Sequence, residues 1–146
     1  MFYGEYLHRV DEKGRIIIPQ KFRKDLEPSF MLAQGDHKCL TIYTMTAWQE
    51  YVKELQKNPF PGETMRRYIR KLFSGAMECT VDKQGRLLVP ITLRGYANIT
   101  NEVYILGTGE KAEIWEKNNW EEYNDDKNGT FDSMTAEMDK LGKYNG

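Results

Sequence analysis

Two carboxylates in this chain stand four residues before an arginine, in "DEKGR" (Asp11 to Arg15) and in "DKQGR" (Asp82 to Arg86). A carboxylate and a guanidinium at that spacing can pin a tight turn. They can also hold the guanidinium in a fixed pose for phosphate oxygens or a guanine edge, both of which it matches bidentately. Proton transfer suits them poorly, because a general acid needs a carboxyl with a raised pKa rather than one beside a cation. Gly14 and Gly85 directly precede the arginines, and Lys13 and Lys83 lie in the same turns. Presented on equivalent surfaces, Arg15, Arg86, Lys13 and Lys83 would make a doubled basic edge suited to nucleic acid.

No other constellation competes. His8 and His37 are the only histidines, and neither has a cysteine or a second histidine at ligand spacing. Cys39 and Cys79 are too few for a disulfide framework or a zinc cluster and read as small buried hydrophobes. The chain has no Walker loop, no "GxSxG" and no "HExxH". No catalytic residue, metal, cofactor or small-molecule substrate is expected, and the reading is of a binding protein rather than an enzyme.

A chain of 146 residues fits one ordinary domain or two small ones. No window approaches 18 uninterrupted apolar residues, so no membrane span is expected. The opening "MFYGEYLHRVDEKGR" lacks the basic-then-apolar layout of a secretory signal, and a cytoplasmic location is expected. The net charge of −1 hides an asymmetry. Residues 110–146 hold five Lys against ten Asp or Glu, a local −5, which leaves sixteen basic and twelve acidic residues, a local +4, in 1–109. An acidic tail conceals a mildly basic body.

The two turns belong to a longer repeat. "VDEKGRIIIPQKFR" (Val10 to Arg23) and "VDKQGRLLVPITLR" (Val81 to Arg94) lie 71 residues apart and share six of fourteen positions. Further on, "CLTIYTMTAWQEY" (Cys39 to Tyr51) resembles "KAEIWEKNNWEEY" (Lys111 to Tyr123) at an offset of 72, which Gly35 and Gly107 also keep. Each half reads as strand, turn, strand, short link, strand, turn, strand, helix start. "RIIIP" and "RLLVP" are short strands closed by Pro, which cannot donate to a ladder. Gly14 and Gly85 supply the positive φ that a tight connection requires. Thr46 with Gln49, and Asn118 with Glu121, are spaced as capping boxes, after which Trp48, Tyr51, Val52 and Leu55 share a helical face.

The unduplicated "NPFPGETMRRYIRKLFSGA" turns at Pro59, Pro61 and Gly62, and Thr64 is placed to cap a helix. Met65, Tyr68, Ile69, Leu72 and Phe73 would form its apolar stripe, with Arg66, Arg67, Arg70 and Lys71 opposite. After Tyr123, "NDDKNGTFDS" reads as a solvated loop and "MTAEMDKLGKYNG" as a short final helix. Each half, about 50 residues, is too small for an adequate core of its own. The expected fold is β-rich α+β, with copies at 5–47 and 76–119 sharing one barrel-like core about a pseudo-twofold axis. Residues 48–75 would connect the copies, and 120–146 would form a C-terminal helix and polar tail.

The doubled Asp-x-x-Gly-Arg, followed each time by an aliphatic run and Pro, resembles the AbrB-type swapped-hairpin barrel. Two copies in one chain, with "MFYGEYLHRVDEKGR" first and "EIWEKNNWEEY" late, are similar to the MraZ family. The resemblance covers nearly the whole chain, most specifically 1–23, 79–94 and 103–123. It implies a bacterial, nucleoid-associated transcriptional regulator of a division and cell-wall gene cluster. Such a regulator binds short direct repeats in double-stranded promoter DNA and assembles with itself into a ring, for which the aromatic faces of Trp48, Trp115 and Trp120 would offer contacts. Family DNA binding is associated with turns that fall here on Asp11–Arg15 and Asp82–Arg86. Gln84 replaces Lys13 in the second copy, so Arg15 is expected to contribute more than Arg86. The alternative within the same fold is an AbrB-like antitoxin, which binds a toxin as well as DNA. That role wants a disordered wrapping tail, which the 21 residues after Asp125 supply poorly.

Overall fold

The computed structural model of the chain describes residues 1–57 and 62–142. The first repeat runs β1 (Glu5–Arg9), β2 (Arg15–Ile17), α1 (Gln20–Leu26), β3 (Phe30–Gln34), β4 (Leu40–Thr44) and α2 (Met45–Lys57). After α3 (Glu63–Gly75) the second repeats the order with β5 (Met77–Cys79), β6 (Arg86–Leu88), α4 (Ile91–Tyr96), β7 (Glu102–Gly107), β8 (Ala112–Glu116) and α5 (Lys117–Tyr123). A last helix, α6 (Phe131–Lys140), follows. The turn expected at Pro59 and Pro61 lies outside the described residues.

The chain is α+β, with a six-stranded antiparallel sheet in the order β1-β7-β8-β4-β3-β5 and a separate ribbon of β2 and β6. The sheet order reads the same from either end once the repeats are exchanged. Two pairings mark the pseudo-twofold axis. Ile16 lies opposite Leu87, its own counterpart 71 residues on, and Thr41 lies opposite Glu113, its counterpart 72 residues on. Each repeat lends its first strand to the other: β1 pairs with β7, and β5 pairs with β3.

Where one closed barrel was the expectation, the sheet is open, with β1 and β5 at its edges. The ribbon and the short helices close over it instead. Ile16, Ile18, Leu87 and Val89 from the ribbon, Phe22 and Leu26 from α1, and Leu93 from α4 are buried together with Leu32, Ile42, Ile105 and Ile114 of the sheet. At roughly 1.5–3 kcal/mol for each large aliphatic side chain removed from water, this two-repeat cluster is the main stabilising element. Burial of consecutive residues in "RIIIP" follows, because strand alternation holds only over β2 and the chain then turns inward at Ile18.

The segments expected as short links are α1 and α4. Pro19 and Pro90 precede them with φ of −51° and −56°, already close to helical values. The helix caps also differ from the expected ones. Thr44 Oγ1, not Thr46, accepts from the Ala47 N–H at 3.0 Å. Glu116, not Asn118, caps α5 by accepting from the N–H groups of Asn118 and Asn119, each at 2.9 Å. Gly62 rather than Thr64 occupies the N-cap of α3 and makes no side-chain bond. In α2 and α5 the helix starts where the strand ends, so the cap falls two residues earlier than the polar pattern suggests.

The aromatic residues expected on free faces pack within the chain. Trp115 is 2% exposed. It meets Trp120 with ring centroids 5.1 Å apart, and Trp48 meets Tyr43 at 5.1 Å and Phe73 at 5.9 Å. Of the apolar stripe on α3, only Leu72 is fully buried.

Candidate nucleic-acid interface

The loops before β2 and β6 are built by their aspartates. Asp11 Oδ1 accepts from the backbone N–H groups of Lys13 (2.9 Å) and Arg15 (2.8 Å), while Oδ2 accepts from Arg15 Nε at 2.6 Å. Asp82 repeats the arrangement with Gln84 N, Arg86 N and Arg86 Nε, all at 2.9 Å. The backbone closes each loop, through Asp11 N–H to Arg15 O and Asp82 N–H to Arg86 O, both at 2.9 Å. Gly14 and Gly85 carry φ of 85° and 80°, the left-handed region that a side chain strains. Both readings of the Asp-Arg pair are therefore realised at once. The carboxylate pins the turn, and it takes only Nε, so among the described residues neither terminal nitrogen of Arg15 or Arg86 is bonded.

Hydrogen bonding lowers the pKa of both aspartates. The Arg15 N–H first, then its guanidinium and the Lys13 N–H, bring Asp11 down to about 2 against a partial desolvation that acts the other way. Asp82 shifts in the same direction through the Arg86 N–H first. Both stay ionised at neutral pH, which suits an anchor and not a general acid.

The ribbon brings the two turns together. Ile18 N–H donates to Gly85 O at 2.9 Å and Val89 N–H donates to Gly14 O at 3.1 Å, so each strand leaves bonded to the other repeat's turn. Arg15 lies opposite Leu88 and Arg86 opposite Ile17. The two arginines are thus diagonal neighbours on one face, roughly 7–8 Å apart at the backbone. Lys13 and Lys83 are exposed in the loops.

Two further arginines belong to this region and were not singled out from the sequence. Arg23 lies over Gly85, and Arg94 lies over Gly14. Arg23 Nε donates to Ile18 O at 2.8 Å, whereas Arg94 Nε is buried without a partner among the described residues. Their signal was present, since both are identities in the repeated fourteen-residue phrase. Away from the ribbon, Asp36, Cys39 and Glu113 bring their ligand atoms within 4.8 Å of one another. Burial, then the neighbouring Glu113 and Asp36 charges, push the Cys39 thiol far up. The thiol stays protonated there, which matches its reading as a small buried side chain.

Fold and site together define a class: an internally duplicated α+β protein with exchanged first strands, whose paired Asp-anchored arginine turns share one two-stranded ribbon. A family model described as "MraZ protein, putative antitoxin-like" matches residues 1–71 and again 72–141. Proteins called transcriptional regulator MraZ are similar over the full length. The one from Acetivibrio thermocellus is 44% identical, covering 97% of this chain and 99% of the relative. The one from Clostridium tetani is 45% identical with the same coverage, and the one from Moorella thermoacetica is 41% identical over 94% and 96%. The chain belongs to the MraZ family. No helix among the described residues is long and apolar enough to cross a membrane.

Proposed function

We propose that this chain is a sequence-specific DNA-binding transcriptional regulator that grips double-stranded promoter DNA with Arg15 and Arg86, assisted by Lys13 and Lys83. The observation that carries this reading is the β2–β6 pairing. It sets two anchored guanidinium groups, with free terminal nitrogens, on one face of a two-stranded ribbon, a shape that a major groove admits. The names of the relatives support the regulatory role. The finer picture keeps to the family resemblance: copies at 5–47 and 76–119 in a swapped-hairpin arrangement, short direct repeats in a division and cell-wall cluster promoter, and a cytoplasmic, nucleoid-associated ring. In a head-to-tail ring the first repeat of one subunit meets the second repeat of the next, and repeated turns engage repeated boxes with an avidity well above that of one site. The antitoxin reading is less well supported, because α6 is a folded helix whose Thr130 and Ser133 form a capping box, not a wrapping tail.

Fluorescence anisotropy with the promoter duplex and with a random duplex of equal length tests the reading. Preference for the promoter at matched salt is expected, and equal weak binding to both overturns it. Light scattering that shows a monomer at micromolar concentration overturns the ring.

A further inference from the structure

The outward face of the ribbon holds four side chains, and only two of them are basic. Alternation along β2 and β6 buries Ile16 and Leu87 and turns Arg15, Ile17, Arg86 and Leu88 outward. The register then sets Leu88 opposite Arg15 and Ile17 opposite Arg86, about 5 Å apart at Cβ. Each guanidinium therefore has an aliphatic neighbour directly across the ribbon. Ile17 is 43% exposed and Leu88 is 56% exposed, although outward positions on a surface ribbon ordinarily carry polar groups. The exposure is duplicated with the repeat, since Ile17 and Leu88 are counterparts 71 residues apart. Whatever the arginines meet, these two side chains meet as well.

Resting on the DNA-binding reading above, we propose that Ile17 and Leu88 are specificity-determining residues that read the C5-methyl group of thymine next to the base contacted by the arginine across the ribbon. An aliphatic side chain cannot bond to a phosphate or to a donor or acceptor on a base edge. The thymine methyl is the one apolar group that a base pair presents in the major groove. Terminal guanidinium nitrogens match guanine O6 and N7, and successive bases lie about 3.4 Å apart along a strand. A side chain about 5 Å from the arginine thus reaches the adjoining step. The checkerboard of two arginines and two aliphatics would select steps that join a guanine to a thymine, in both halves of the ribbon.

The test uses the full-length protein and a duplex selected by that protein from a random pool, synthesised once with thymine and once with uracil at every thymine position. Uracil keeps every hydrogen-bonding group and lacks only the methyl. The wild-type protein is expected to bind the uracil duplex more weakly, by about fourfold for each methyl contacted. The paired variant Ile17→Ala, Leu88→Ala is expected to bind both duplexes alike, near the wild-type affinity for the uracil form. Equal wild-type affinity for the two duplexes overturns the inference and leaves DNA binding standing, with no need for any variant to fold. Retained discrimination by the paired variant overturns it too, as does loss of self-association in that variant, which would assign the side chains to a protein interface. Failure of the pool to enrich any duplex instead overturns the DNA-binding reading on which the inference rests.

Discussion

The Arg23 guanidinium lies directly over Gly85, in the turn of the other repeat, and Arg94 stands in the same relation to Gly14. A Cβ on either glycine would occupy the space of that guanidinium. Each DNA-facing turn is therefore shaped partly by its own aspartate and partly by an arginine that the opposite repeat supplies. The two turns are mechanically joined through this exchange, as they are through the ribbon bonds from Ile18 to Gly85 and from Val89 to Gly14.

Gly85→Ala should lower stability by about 1–2 kcal/mol from the left-handed backbone alone, and more if Arg23 cannot move aside. Chemical denaturation of the variant measures the loss. Adding Arg23→Ala should recover only the crowding part, so a double-mutant cycle separates the two causes. An unchanged midpoint for Gly85→Ala would mean that the turn adopts another conformation.

The acid response of the first turn follows from the Asp11 carboxyl, held at about 2 against the ordinary 3.8. Because the folded value lies below the unfolded one, the carboxylate's contribution is complete above about pH 4. It is lost as pH falls through 2. A carbon NMR titration of the side-chain carboxyl should give a midpoint near 2 for Asp11 and a lowered one for Asp82. A midpoint at 3.8 for Asp11 would show that the turn does not hold its aspartate as described.

Arg15→Ala should fold and assemble normally and lose promoter binding, since its side chain makes no core contact. Each lost base-reading contact costs about 1–3 kcal/mol, repeated at every engaged subunit. Arg86→Ala should cost less, because Gln84 stands where the first turn has Lys13. Each phosphate contact removed should lower the salt slope of binding by about one. Wild-type affinity for Arg15→Ala at matched salt would leave the turn a structural element and make the basic face of α3 the better candidate.

Residues 1–71 and 72–142, prepared as separate chains, should each be largely unfolded, and a mixture should regain native circular dichroism. The reason is the strand exchange: β1 has its partner in β7, and β5 has its partner in β3. Each half alone also loses half of a core that interleaves Ile16 with Leu87 and Ile18 with Val89. A cooperative thermal transition in either half alone would contradict this account.

Much of the molecule was legible in local sequence. The duplication, the strand runs ended by Pro19 and Pro90, the positive-φ glycines at 14 and 85 and the Asp-Arg turns all depend on residues within four or five positions of one another. Turn chemistry and aliphatic spacing act over that range, so the sequence by itself determined them, and it also implied a core shared by halves too small to fold alone. Only the tertiary structure decided which strand each strand pairs with, because a register is selected by the free energy of the whole core and not by the strand's own residues. It placed Arg23 and Arg94 over the opposite turns and buried Trp115 against Trp120. It moved the caps to Thr44 and Glu116, because α2 and α5 continue directly from strands whose ends the sheet sets. It left Ile17 and Leu88 beside the arginines in solvent for the same reason. In "RIII" and "RLLV" every aliphatic residue looks equally buried, and only the pairing of Ile16 with Leu87 across the pseudo-twofold axis decides which of them point inward.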